Sequence, residues 1–187
     1  GTRGEGSGEA WRVAARRGRI DGFRRNTYLG RDDTNERDET TLRGKVRLGL
    51  ADDWTAGVST MYVSLDNGFD VFSPDNRLRT LTDQPGRDAQ RSVGASLKLD
   101  GDLGRATLVS TTSYADSDIV YSFDGDWGNE PYWGIYAPYQ YFSLYDRQRG
   151  TLGQDLRITS TATAHGEGIG WLAGAYALRM DEDNLQR

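Results

Sequence analysis

The chain has 187 residues, 24 of them glycine and none cysteine, with 28 acidic against 23 basic side chains and a formal charge of -5. Disulfides, thiolate metal sites and cysteine nucleophiles are thereby excluded together, and charges interleaved along the sequence, with no basic block, argue against nucleic acid as a partner. With 36% hydrophobic residues and a mean hydropathy of -0.72 the sequence is thin for a conventional core, yet its five tryptophans and 11% aromatic residues are foreign to a chain that fails to fold.

No run of about 18 apolar residues occurs, so the sequence holds no transmembrane helix. The opening GTRGEGSGEAW lacks the apolar stretch of a signal peptide. A transmembrane β-barrel would show neither feature, because its strands are short and alternate, and hydropathy is silent about it.

Taken in chain order, period-two alternation predicts about seven strands and no amphipathic helix. They cover Glu9 to Arg17, Glu39 to Leu50, Trp54 to Leu65, Gln90 to Asp100, Arg105 to Ser122, Arg147 to Ser160 and Ile169 to Asp181. One face would carry Leu42, Val46, Leu48 and Leu50; Trp54, Ala56 and Val58; Val93, Ala95, Leu97 and Leu99; Leu152, Leu156 and Ile158; and Ile169, Trp171, Ala173 and Ala175. The opposite face would carry Arg43, Lys45, Arg47, Ser92, Ser96, Lys98, Asp155, Arg157 and Thr159. Between Arg105 and Ser122 the run Ser110 to Ser113 blurs the pattern, and no face can be assigned there.

Connections alternate in length. The links ADD, DGDLG and TATAHGEG are short and rich in turn formers. The three between them, within Gly18 to Asp38, Asp66 to Ala89 and Phe123 to Asp146, are each about twenty residues, more than a compact domain carries without a function for them. In an up-and-down antiparallel sheet, this order puts every short turn at one edge and every long loop at the other, as in outer-membrane barrels. Trp54 and Trp171, each just after a short turn, sit where an interfacial aromatic girdle would lie, although each is equally readable as a core tryptophan.

The stretches DGFRRNTYLGRDDTNERDETTLRGKVR (Asp21 to Arg47), NGFDVFSPDNRLRTLTDQPGRDAQR (Asn67 to Arg91), STTSYADSD (Ser110 to Asp118), GQDLRITS (Gly153 to Ser160) and WLAGAYALRMDED (Trp171 to Asp183) resemble, in this collinear order, the barrel region of TonB-dependent outer-membrane receptors. The resemblance spans nearly the whole chain from Glu9. It implies an all-β, antiparallel up-and-down meander that is an open segment of a large transmembrane β-barrel, one partial barrel domain over residues 1–187, in the outer membrane of a Gram-negative bacterium. It further implies outer-membrane lipid as surroundings, a small-molecule ligand such as a ferric siderophore, and the TonB complex as partner through an N-terminal part. Signal peptide, plug, TonB box and terminal aromatic residue are missing from the sequence, which reads as a middle piece of a receptor. No cofactor is expected.

Aromatic side chains crowd the third long loop: Trp127, Tyr132, Trp133, Tyr136, Tyr139, Tyr141, Phe142 and Tyr145. Large rigid rings with a polar handle suit capture of an aryl-rich siderophore or a sugar, and equally suit packing of the loop on itself. Arg43, Lys45, Arg47, Lys98 and Arg157 are expected to face the lumen, with a merely solvated strand face as the alternative. The loop residues Asp32, Asp33, Asn35, Glu36 and Asp38 offer oxygen ligands, but without the spacing or glycine of a calcium loop, and internal arginine pairing is the preferred reading. His165, the single histidine, lies in a glycine-rich turn with no nucleophile context, so no catalytic or metal residue is assigned and the chain is not read as an enzyme. Two rivals stay open: a soluble, secreted β-sandwich that binds carbohydrate through the aromatic loop, with Leu42, Val46, Leu48, Val93, Leu97, Trp171 and Ala173 buried against a second sheet, and a glycosidase with two carboxylates about 5 to 10 Å apart in a cleft.

Overall fold

The computed structural model describes residues 9–136, 139–161 and 169–187. Alternating segments become strands: β1 (Ala10–Ile20), β3 (Arg37–Ala51), β4 (Trp54–Phe69), β6 (Gly86–Asp102), β7 (Ala106–Asp124), β8 (Phe142–Ser160) and β9 (Leu172–Gln186). They form one seven-stranded sheet in the order β1-β3-β4-β6-β7-β8-β9, every neighbour antiparallel. The fold is an all-β up-and-down meander, and the sheet does not close on itself. Two short strands lie within long loops, β2 (Arg25–Asn26) and β5 (Arg79–Thr80), and pair in parallel.

Because directly paired residues of an antiparallel ladder project to the same face, the register fixes the faces. Across six strands one row reads Trp11, Val46, Val58, Leu97, Thr112 and Gln154. The row beside it on the opposite face reads Arg12, Lys45, Ser59, Ser96, Ser113 and Gly153. Leu50 aside, the strand residues that the alternation put on the apolar face share a face, and so do those put opposite. A bulge between Gly49 and Ala51 shifts the register at the end of β3, displacing Leu50 from the slot facing Trp54.

Predicted strands were too short at the long-loop end. β7 and β8 each run 19 residues, and β8 starts at Phe142, five residues before the expected Arg147. Beyond the apolar stretch polar and apolar side chains no longer alternate, as at the adjacent Leu144 and Tyr145, so the pattern gives no signal, while ladder hydrogen bonds continue to hold the pair together.

Burial is inverted relative to a soluble domain. Among the described residues the buried hydrophobic side chains are Ala56 and Ala106 alone, while Asn26, Asp70, Thr80 and Thr82 are the largest fully buried ones. Leu42, Val46, Leu48, Val93, Leu97 and Leu156 are exposed by 37 to 46%. Among the described residues no second sheet covers them, which is the layer a sandwich needs. At the short-turn end the Trp54 indole lies across its cross-strand partner Gly101, where a Cβ would come within 2.7 Å of the ring.

Candidate functional site

The site grows from the long-loop ends of the strands. Phe69 on β4, Tyr121 and Phe123 on β7 and Tyr145 on β8 have the parity of Ser59, Ser113 and Gly153, so they extend the face that bears Arg43, Lys45 and Arg47. Their rings connect edge to face and tilted: Phe69 to Tyr121 at 4.9 Å, Tyr121 to Phe123 at 5.8 Å and Tyr121 to Tyr145 at 6.2 Å between centroids. Loop residues complete the ladder, Phe72 touching Phe69 and Phe123, Trp127 stacking on Phe72, and Tyr141 meeting Phe123. The Arg147 guanidinium sits over the Tyr145 ring at 5.3 Å, a cation-π contact at the ladder's flank.

Of the aromatic residues singled out in the sequence, the structure brings Trp127, Tyr141 and Tyr145 into this ladder. Tyr132, Trp133 and Tyr139 form a separate group, with Tyr132 to Trp133 at 5.1 Å and Trp133 to Tyr139 at 5.5 Å. Tyr136 is 72% exposed. Sequence reasoning missed Phe69, Phe72, Tyr121 and Phe123, because they are scattered over 55 positions; the i, i+2 pair Tyr121 and Phe123 at the polar end of a long strand was the available signal.

Polar contacts hold the ladder's loops. Asp124, at the end of β7 and 3% exposed, accepts through Oδ1 from the backbone N–H groups of Asp126 and Trp127 at 3.1 and 3.2 Å. This turn keeps Trp127 at φ +59, a left-handed conformation costly for a bulky residue. Asp126 in turn accepts from the N–H of Gly128, the indole N–H of Trp133 and the N–H of Tyr141 at 2.9, 3.2 and 2.9 Å. A single helical turn, α1 (Glu130–Trp133), follows, where the Asn129 side chain accepts from the N–H of Tyr132. Asp124 Oδ2 has no partner. Burial first, and then the charge of Asp126, push the Asp124 carboxyl up to about 6.

The three long loops are joined into one cap. Between the first and second, Asn26 Nδ2 donates to Asp70 at 3.0 Å and to the Thr82 carbonyl at 2.8 Å, while the Thr80 and Thr82 hydroxyls donate to Asp70 at 2.6 and 2.9 Å. Between the second and third, Asn129 donates to the Leu81 carbonyl, the Asp83 N–H to the Gly128 carbonyl, and Gln140 to Asp83 at 2.6, 3.1 and 2.7 Å. In the acidic first loop Arg31 holds Asp33 at 2.7 Å, and this guanidinium draws the Asp33 carboxyl below its ordinary range.

Arg43, Lys45, Arg47, Lys98 and Arg157 all lie on the ladder's face, nearer the short turns. Lys98 pairs with Asp100 and Arg157 with Asp155, both at 2.7 Å. That face is not uniformly polar, since β9 places Leu172, Tyr176, Leu178 and Met180 on it. His165 falls outside the described residues. Among the described residues no group of three or more histidine, aspartate or glutamate side chains is placed to hold a metal ion.

Against protein-family models, curated proteins and solved structures, the chain finds no match in any of the three comparisons.

Proposed function

We propose that the chain is part of the β-barrel of a TonB-dependent outer-membrane receptor, with lipid against the Leu42, Val58 and Leu97 face and the aromatic ladder at the extracellular mouth. The observation that carries this reading is the inverted burial: polar side chains buried in the loops and a contiguous row of leucines and valines left bare on one face. From Leu42 to Leu50 that row is roughly 27 Å along the strand at about 3.3 to 3.4 Å per residue, of the order of a tilted strand's apolar crossing. All three long loops gather at one end, as extracellular loops do.

In this reading the ladder and Arg147 receive a scarce ligand, a ferric siderophore being the leading case. Stacking rings supply area and the guanidinium supplies charge. Import then follows from rearrangement driven by the TonB complex through an N-terminal region, and no side chain of this chain performs covalent chemistry. The exposed apolar row favours this over the carbohydrate-binding sandwich.

The absence of cysteine makes a site-directed test direct. Single cysteines at Val58, Ser59, Leu97 and Lys98 are spin-labelled in the membrane-reconstituted protein, and collisions with oxygen and with a water-soluble nickel chelate are compared. Labels at Val58 and Leu97 are expected to favour oxygen, and those at Ser59 and Lys98 nickel. Equal access to nickel at all four positions overturns the membrane reading. Siderophore uptake that survives deletion of the gene under iron limitation overturns the assigned cargo.

A further inference from the structure

Some distance from the ladder, on the same face, a hollow of about 590 Å³ opens between β1, β3, β4 and β6. Arg12, Lys45, Arg47 and Lys98 line it, with Asp100 as the acidic member. Its centre is ten residues along β4 from Phe69, so roughly 30 Å separates it from the aromatic ladder.

The arrangement of charge is unusual for a sheet that has only itself to satisfy. Arg12 stands directly opposite Lys45 in the ladder, and like charges in that relation repel. Arg47 and Lys98 flank Gly57, the cross-strand partner of both, so two cations overlook a position without a side chain. Lys98 is paired with Asp100. Among the described residues Arg12, Lys45 and Arg47 make no ion pair. Among the described residues, a chain with more acidic than basic side chains has thus gathered four cations around one cavity and lined it with one counter-charge.

We propose that this hollow binds a small molecule carrying two or more carboxylate or phosphate groups. Its size is that of a small-ligand pocket. Two arginines offer planar forks that meet an oxyanion through paired N–H bonds, and the lysines add compact charge. A multivalent anion between Arg12, Lys45 and Arg47 turns three mutual repulsions into attractions, whereas a monovalent anion meets one of them and leaves the others. Asp100 repels any anion from the Lys98 side, which directs the ligand toward β1 and β3. The proposal stands whether or not the opposite face meets lipid.

The test is calorimetric titration of the intact protein with citrate, with pyrophosphate and, at matched ionic strength, with acetate. Saturable binding of citrate or pyrophosphate is expected, weakening as salt rises, with acetate giving none. Citrate alone assigns a carboxylate site, and pyrophosphate alone a phosphate site. The Lys45→Gln/Arg47→Gln variant is expected to bind at least tenfold more weakly. Gly57→Val puts a branched side chain on the floor of the hollow without touching charge; a Cβ there first meets Lys98 at 3.9 Å, an ordinary contact, and binding is expected to weaken. No saturable binding, acetate binding equal to citrate, or unchanged affinity in both variants overturns the proposal.

Discussion

The indole of Trp127 lies on the ring of Phe72, centroids 5.2 Å apart and planes 14° from parallel. The contact ties the third long loop to the second, and it is available because Asp124 holds Trp127 in a left-handed turn. Phe72 also reaches Phe69 and Phe123 edge-on, so it is the joint between loop-borne and strand-borne rings. Phe72→Ala is expected to weaken the cap by about 1 to 2 kcal/mol, the scale of one aromatic pair with its lost area. Iodide quenching of tryptophan emission should rise in that variant and stay unchanged in Phe72→Tyr.

Asp124 makes the cap sensitive to acidity. Its folded value of about 6 lies above the ordinary 3.8, so the cap binds a proton that the unfolded loop has already lost. This contribution to stability is complete below about pH 4, is lost as pH rises through about 6, and changes no further above that. Asp124 lies eight positions beyond Asp116, past the apolar row, so aqueous pH reaches it. Asp124→Asn keeps the Oδ1 acceptor for Asp126 and Trp127 and removes the charge. Hydrogen exchange of residues 125–136, followed from pH 4 to 8, should show protection falling through this window in the parent and staying flat in the variant.

Asp70 is 1% exposed and accepts from Asn26, Thr80 and Thr82. Removing it takes an acceptor from three buried donors, of which Asn26 keeps the Thr82 carbonyl, and hydrogen bonds to a charged acceptor are each worth about 1.5 to 3 kcal/mol. Asp70→Ala is therefore expected to release β2 and β5 while leaving the large sheet intact. Limited proteolysis should newly cut within residues 23–31 and 75–83, with no change in strand content by circular dichroism.

Val58 sits midway along the apolar row, and Ser96 projects from the opposite face. In membranes Val58→Lys is expected to destabilise by about 2 to 4 kcal/mol, the cost of a cation at the midplane on a lipid-facing strand. Ser96→Glu, beside Lys98 and near Lys45, is expected to change stability by less than about 1 kcal/mol. Denaturant titration in lipid vesicles distinguishes the two, and equal costs would remove the basis for assigning lipid to the Val58 face.

Alternation made β3, β4 and β6 legible in the sequence because each buries no partner deeper than its own ladder, and side-chain parity survives intact. β7 resisted for a definite reason. Ser110 and Thr112 do lie on the apolar face, where Gln154 of β8 accepts from Thr112 at 2.6 Å and donates to Ser110 at 2.9 Å. A polar residue is tolerated there once its partner is in place, and that partner is more than forty positions away. The aromatic ladder was half legible: the cluster from Trp127 to Tyr145 announced itself by density, whereas Phe69 and Phe72 needed the strand register to reach it. Nothing local in NTYLG or TLT signalled the buried Asn26, Asp70, Thr80 and Thr82 knot, since its members are short polar residues that sequence reading assigns to solvent.

The parallel pairing of β2 with β5 has a mechanical meaning. Two loops zipped side by side, with Asn129 and Gln140 of the third clipped to the same segment, cannot swing as separate flaps. A tug on any one is passed to the others through these hydrogen bonds, so the stiffness of the whole cap is set by one small polar knot.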